Sequence, residues 1–127
     1  MSTSAAIGMK MEDGSVQAVG LTSEGYPDYA GAVLCGCYKT AEQVEALLAL
    51  GDLSQISGTP KFCNLFDEGE EQPTRYETVD KFQRCGKCIY FAEYLYLFDN
   101  GKWSVFDLYG DDPKWVDLET VVSETNK

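Results

Sequence analysis

The sequence has no histidine. That excludes Ser-His-Asp triads, Cys-His dyads, histidine-ligated zinc and any imidazole pH switch. It is also poor in positive charge: 10 Lys and Arg stand against 21 Asp and Glu, a formal charge of −11 with a pI near 4.2. Neutralising phosphates requires Lys and Arg, so direct nucleic-acid binding is disfavoured. Long apolar runs are missing as well, none approaching the ~18 residues of a membrane span. The first residues, Met1 to Ala6, carry no basic run, and Lys10 interrupts before an apolar stretch develops, so no secretory leader and a cytoplasmic location are expected.

What is present is 127 residues, 44% hydrophobic and 13% aromatic, a composition that folds and a length that suits a single domain over 1–127. Five cysteines, Cys35, Cys37, Cys63, Cys85 and Cys88, make an odd set that fits a closed disulfide framework poorly. Free thiols are the expectation in a reducing compartment.

Two hairpins frame the chain. Ile7–Met11 and Val16–Leu21 flank Asp13-Gly14, which suits a two-residue type I′ turn. That turn pairs Met11 with Val16 and Met9 with Ala18, and places Ile7, Met9 and Met11 on one face. Ile89–Phe98 and Trp103–Leu108 flank Asn100-Gly101, pairing Asp99 with Lys102 and Phe98 with Trp103. One face of this second hairpin holds Tyr94, Tyr96, Phe98, Trp103 and Val105; the other holds Leu95, Leu97, Phe106 and Leu108. Both are apolar, so the hairpin is expected to be central and covered on both sides.

Helices fill the interval. Gly25-Tyr26-Pro27 reads as a turn into a helix whose inward positions are Tyr29 or Ala30, Val33, Leu34 and Cys37. Thr40 and Gln43 form a capping box ahead of Val44, Leu47 and Leu48, with Gly51 as the stop. Asp117 is an expected N-cap, with Val116 and Val121 as a hydrophobic staple, for a helix from Leu118 to about Ser123. Residues 58–78, with Pro60, Pro73 and a run of acids, read as a long exposed loop. The expected fold is α+β: an antiparallel sheet of about four strands with two or three helices packed on it.

Several elements together resemble a family of small uncharacterised phage and prophage proteins. They are Ile7-Gly8-Met9-Lys10-Met11-Glu12-Asp13-Gly14-Ser15-Val16, Gly25-Tyr26-Pro27, Ala49-Leu50-Gly51-Asp52-Leu53-Ser54 and Tyr96-Leu97-Phe98-Asp99-Asn100-Gly101-Lys102-Trp103. Where that family carries C-H-W-D before G-Y-P, this chain has Leu21-Thr22-Ser23-Glu24, so a site built on that Cys, His or Trp does not carry over. The resemblance implies an origin in phage or other mobile DNA, where small acidic proteins inhibit host machinery.

Three groups of residues bear on function. Cys85-Gly86-Lys87-Cys88 is similar to one zinc knuckle, and in the alternative reading, a small structural zinc module, Cys63 would be the third ligand. Cys35 and Cys37 compete for the fourth place, pointing about 200° apart on a helix. A thioredoxin-like pair is disfavoured because Cys88 is expected to lead into a strand. Asp107, Asp111 and Asp112, with Asp67, Glu68, Glu70 and Glu71, match no EF-hand spacing, so solvated acids are expected rather than a cation or acid/base site. The leading expectation is therefore a non-enzymatic, cofactor-free inhibitor that occludes a basic host protein, a defence nuclease or other DNA-binding protein, in the manner of an anti-CRISPR or DNA mimic. Asp67, Glu68, Glu70, Glu71, Asp111 and Asp112 would supply charge, and Tyr109 an anchor at the rim.

Overall fold

The computed structural model describes residues 3–59, 63–65, 74–90, 92–110 and 113–125, and of 64–65, 86–90 and 124–125 the backbone. In chain order the elements are β1 (Ala5–Lys10), β2 (Val16–Leu21), a π-helical turn (Pro27–Gly31), α1 (Ala32–Cys37), α2 (Ala41–Leu48), β3 (Leu53–Gln55), β4 (Asn64–Leu65), β5 (Thr74–Tyr76), α3 (Val79–Tyr90), β6 (Tyr94–Asp99), β7 (Lys102–Asp107), β8 (Trp115–Asp117) and α4 (Leu118–Thr125).

The second hairpin has the expected register. Asp99 lies opposite Lys102 and Phe98 opposite Trp103. Asn100 and Gly101 take φ of 53° and 81°, the pair of positive angles that a type I′ turn needs. Its first strand begins at Tyr94, however, and not at Ile89.

The first hairpin is displaced by one residue from expectation. Lys10 pairs with Val16, Met9 with Gln17 and Gly8 with Ala18. The connection is a three-residue loop: the Gly14 amide donates to the Met11 carbonyl (3.0 Å), the Met11 amide donates to the Ser15 carbonyl (2.7 Å), and Gly14 carries the positive φ of 89°. The Asp13 carboxylate reinforces it by accepting from the Ser15 amide (2.9 Å) and hydroxyl. Because strand side chains alternate, this single step changes which residues share a face. Ile7 and Met9 lie with Val19 and Leu21, while Ala6 and Gly8 lie with Val16 and Ala18.

The hairpins join through their first strands. β1 and β6 run parallel, from Ala5 opposite Tyr94 to Met9 opposite Phe98. Eight strands make one mixed sheet in the order β4-β3-β2-β1-β6-β7-β8, with β5 also paired to β2. The antiparallel sheet of about four strands is thus too small and of the wrong type, although the α+β class holds. Segment 58–78 is not simply a loop, since β4 and β5 lie in it. β5 takes the outer edge of β2 from Val16 to Ala18, and β3 takes it at Leu21. Between them the Asp52 carboxylate accepts from the Gly20 amide at 2.9 Å, filling the gap in the ladder.

Helices cover both faces. On one, α1, α2 and α4 bury Leu34, Val44, Leu47, Leu48 and Leu118 against Ile7, Leu21, Tyr96 and Trp103. The capping box at Thr40 and Gln43 is formed, Asp117 accepts from the Thr120 amide at α4, and Val116 and Val121 both pack on this cluster. Ala30, Val33 and Leu34 turn inward as expected, but Cys37 is exposed. Two polar tips tie layer to sheet: the buried Tyr96 hydroxyl donates to the Gly25 carbonyl, and Trp103 Nε1 donates to the Tyr38 carbonyl at 2.7 Å.

The opposite face is covered by α3, a fourth α-helix beyond the expected two or three. Thr78 caps it, accepting from the Lys81 amide at 3.1 Å, and Glu77–Lys81 and Asp80–Arg84 form i,i+4 ion pairs. Val79, Phe82 and Cys85, three residues apart, face the sheet. Phe82 is fully buried beside Tyr76 and Trp115, at ring separations of 5.6 and 6.4 Å. It seats over Gly8, where an added Cβ would lie 3.1 Å from its ring and 2.8 Å from Val16 Cγ1.

Two predictions follow from this packing and from the first turn. Phe82→Ala is expected to cost ~3–5 kcal/mol and Gly8→Ala ~1–3 kcal/mol in urea unfolding; if α3 did not cover this face, Phe82→Ala would stay within ~0.5 kcal/mol. Asp13 is held at a pKa of about 2, first by the Ser15 hydroxyl and then by its amide. A carboxyl lowered in the folded state stabilises fully above the unfolded value, ~3.9, and loses that contribution as pH falls through the folded one. Asp13→Asn should lower the Tm at neutral pH and shrink its fall between about pH 4 and 2.

Candidate functional site

Most of the acids singled out in the sequence, Asp67, Glu68, Glu70, Glu71, Asp111 and Asp112, lie outside the described residues. Tyr109 is described. It follows the end of β7 and is 64% exposed.

The cysteines are dispersed. Cys63 is buried in the cluster beneath α1, α2 and α4, whereas Cys85 packs against the cluster beneath α3, on the other face of the sheet. The side chain of Cys88 is outside the described residues, but its backbone is in α3. Cys88 therefore does not lead directly into a strand, and that reason for discounting a redox pair fails. Cys85 nevertheless sits well inside α3, with its side chain packed against the cluster beneath that helix. Burial, then Glu119 and Asp117, push the Cys35 thiol up to about 11.

Cys63 has a structural environment. Its Sγ accepts from the Ser57 amide (3.2 Å) and lies 3.6 Å from the Ser57 carbonyl and 3.5 Å from that of Thr59. The Tyr38 hydroxyl donates to the Ser57 carbonyl at 2.7 Å. Burial, and then Cys63, raise the Tyr38 pKa, so the phenol stays a donor and fastens α1 to the segment after β3.

The two helical layers differ in charge balance, although Lys39 is exposed between α1 and α2. The π turn, α1, α2 and α4 contain no lysine or arginine, while Asp28, Glu42, Glu45 and Glu119 are exposed on them. α3 carries Lys81, Arg84 and Lys87 against Asp80. Ion pairs join acid to base on the α3 side and at the hairpin ends, as in Lys81–Glu77, Arg84–Asp80, Arg75–Asp13 and Lys10–Asp99. The acids were visible in the sequence, but the difference in charge between the two helical layers was not. The signal available was the absence of Lys and Arg from each of those helices.

At one end of this layer is a cleft of about 450 Å³. Tyr94 and Asp107, opposite one another on β6 and β7, and Val105 and Val116, opposite on β7 and β8, share the face that forms its floor. Tyr26, Pro27 and Asp28 from the π turn and Val121 from α4 wall it, with Lys114 and Gly110 also lining it. Asp107 Oδ1 accepts from the Tyr109 amide at 3.1 Å, which fixes the carboxylate. Burial raises the Tyr94 pKa, followed by the negative charges of Asp107, Glu93 and Asp28.

Among the described residues, no group of three or more Cys, Asp or Glu side chains is placed to hold a metal ion, and no helix is long and apolar enough to cross a membrane. No protein-family model, curated protein or solved structure matches the chain.

The cysteine environments predict an order of modification by a thiol reagent in the folded protein. Exposed Cys37 should react well before Cys35, and buried Cys63 only on unfolding. Peptide mapping after timed alkylation measures this order; early labelling of Cys63 would contradict its burial.

Proposed function

We propose that this chain is a non-enzymatic binding protein of phage or prophage origin that docks on the basic surface of a nucleic-acid-handling host protein and occludes it. The observation that carries this reading is an excess of acid on one helical layer: its helices expose Asp28, Glu42, Glu45 and Glu119 and contain no lysine or arginine, with Lys39 the exposed cation between α1 and α2. A surface with an excess of negative charge repels DNA and attracts the proteins that bind DNA, and can raise association rates by ~10–10³-fold at low salt. Asp67, Glu68, Glu70, Glu71, Asp111 and Asp112 would extend the same field, and Tyr109 would bury its ring at the contact. The target chemistry is that of a defence nuclease or another DNA-binding protein.

The triple variant Glu42→Lys, Glu45→Lys, Glu119→Lys tests it. These side chains are exposed, so the fold should tolerate the change, which circular dichroism checks. The wild-type chain should capture a DNA-binding protein from host lysate at low salt and release it at high salt or with excess duplex DNA. The variant should capture none. Capture insensitive to salt, to duplex DNA and to the three reversals would overturn the reading.

A further inference from the structure

The cleft beside the acidic layer has a chemistry more specific than surface charge. Two carboxylates, Asp28 and Asp107, stand on different elements around a floor of Val105, Val116 and the ring of Tyr94, with Tyr26 in the wall. Its volume of about 450 Å³ falls within the ~300–1,000 Å³ of small-ligand pockets. An aliphatic cation matches such a lining: apolar stem on the valines and proline, charged head between the acids, aromatic faces beside it. Lys114 lines the cleft too, so the charged side chains described there, Asp28, Asp107 and Lys114, sum to −1, which still favours a cation.

We infer that this cleft receives an arginine side chain of the docked partner. The inference rests on the docking reading above and deepens it by naming a contact. Guanidinium is favoured over ammonium for physical reasons. It is planar and weakly hydrated, stacks on tyrosine rings, and offers several donors in fixed directions to two separate carboxylates. Asp107 is held ready by the Tyr109 amide, so little ordering is needed when the cation enters. The same contact makes Gly110 a positioning residue: an added Cβ there would lie 3.2 Å from the Asp107 carboxylate. Arginine is also the residue with which many proteins grip nucleic-acid phosphates. A cleft that engages it competes for the group the partner uses on DNA.

Titration of the full-length chain with N-acetyl-argininamide, followed by amide NMR shifts, tests the inference. Saturable shifts are expected at Asp28, Tyr94, Val105, Asp107, Gly110 and Val116. N-acetyl-citrullinamide, isosteric but neutral, should give none, and N-acetyl-lysinamide should bind more weakly. Asp28→Asn and Asp107→Asn should each weaken the arginine probe roughly tenfold or more, as loss of a hydrogen bond to a charged group does. Their spectra report whether the fold is kept. Shifts absent from the cleft, equal binding of citrulline, equal binding of lysine, or unchanged affinity in both variants would overturn it. The two readings fail separately. Charge-dependent capture without a guanidinium site defeats the cleft alone. A guanidinium site in a chain whose capture ignores charge defeats the docking reading and leaves the cleft as a site for that cation.

Discussion

The parallel contact between β1 and β6 is the constraint on which the rest of the molecule depends. Each strand is the first of its own hairpin, and each also carries buried residues on both faces. A strand buried on both sides must be covered on both sides. Once the hairpins zip together there, Ile7, Tyr96 and Phe98 form one floor and Ala6, Leu95 and Leu97 the other. α1, α2 and α4 close the first, and α3 closes the second. The short strands β3, β5 and β8 then extend a sheet whose middle is already fixed.

Covering the two faces with different helices has an electrostatic consequence. α3 brings bases, which meet acids within one turn, as in Lys81–Glu77 and Arg84–Asp80. The helices of the opposite layer bring acids alone, although Lys39 is exposed between α1 and α2. An uneven sequence charge thereby becomes an uneven molecular surface, the form in which charge steers association. The cleft lies where this layer meets the ends of β6 and β7, so the open carboxylates of Asp28 and Asp107 share their surroundings with apolar side chains.

Local chemistry made the register of the second hairpin legible, though not the start of its first strand. Asn100-Gly101 supplies two consecutive positive φ angles, and the register follows from them, down to Tyr94 facing Asp107. The Thr40–Gln43 box and the Asp117 cap were equally readable, because each involves residues within one turn. Asp13-Gly14 misled, since the same dipeptide serves in a two-residue turn and in a three-residue loop. The Ser15 bonds to Asp13 and the pairing of Arg75 with it accompany the longer loop. α3 was missed although Thr78, Phe82 and the i,i+4 pairs announced it, because Cys88 and Ile89 were assigned to the approach of a strand. Of the candidate site, the sequence disclosed excess acid and Tyr109, but not the association of Asp28 with Asp107.

By itself the sequence determined the absence of imidazole chemistry, the sign of the surface charge, the two hairpins and three of the helix boundaries. These depend on composition or on groups a few residues apart, whose geometry the backbone fixes locally. The tertiary structure alone decided that the hairpins join in parallel, that Cys63 and Cys85 fall on opposite faces, and that Asp28 and Asp107 share a cleft. Each of those brings together residues distant in the chain, and the arrangement that buries the most apolar surface selects among many that local preference permits equally.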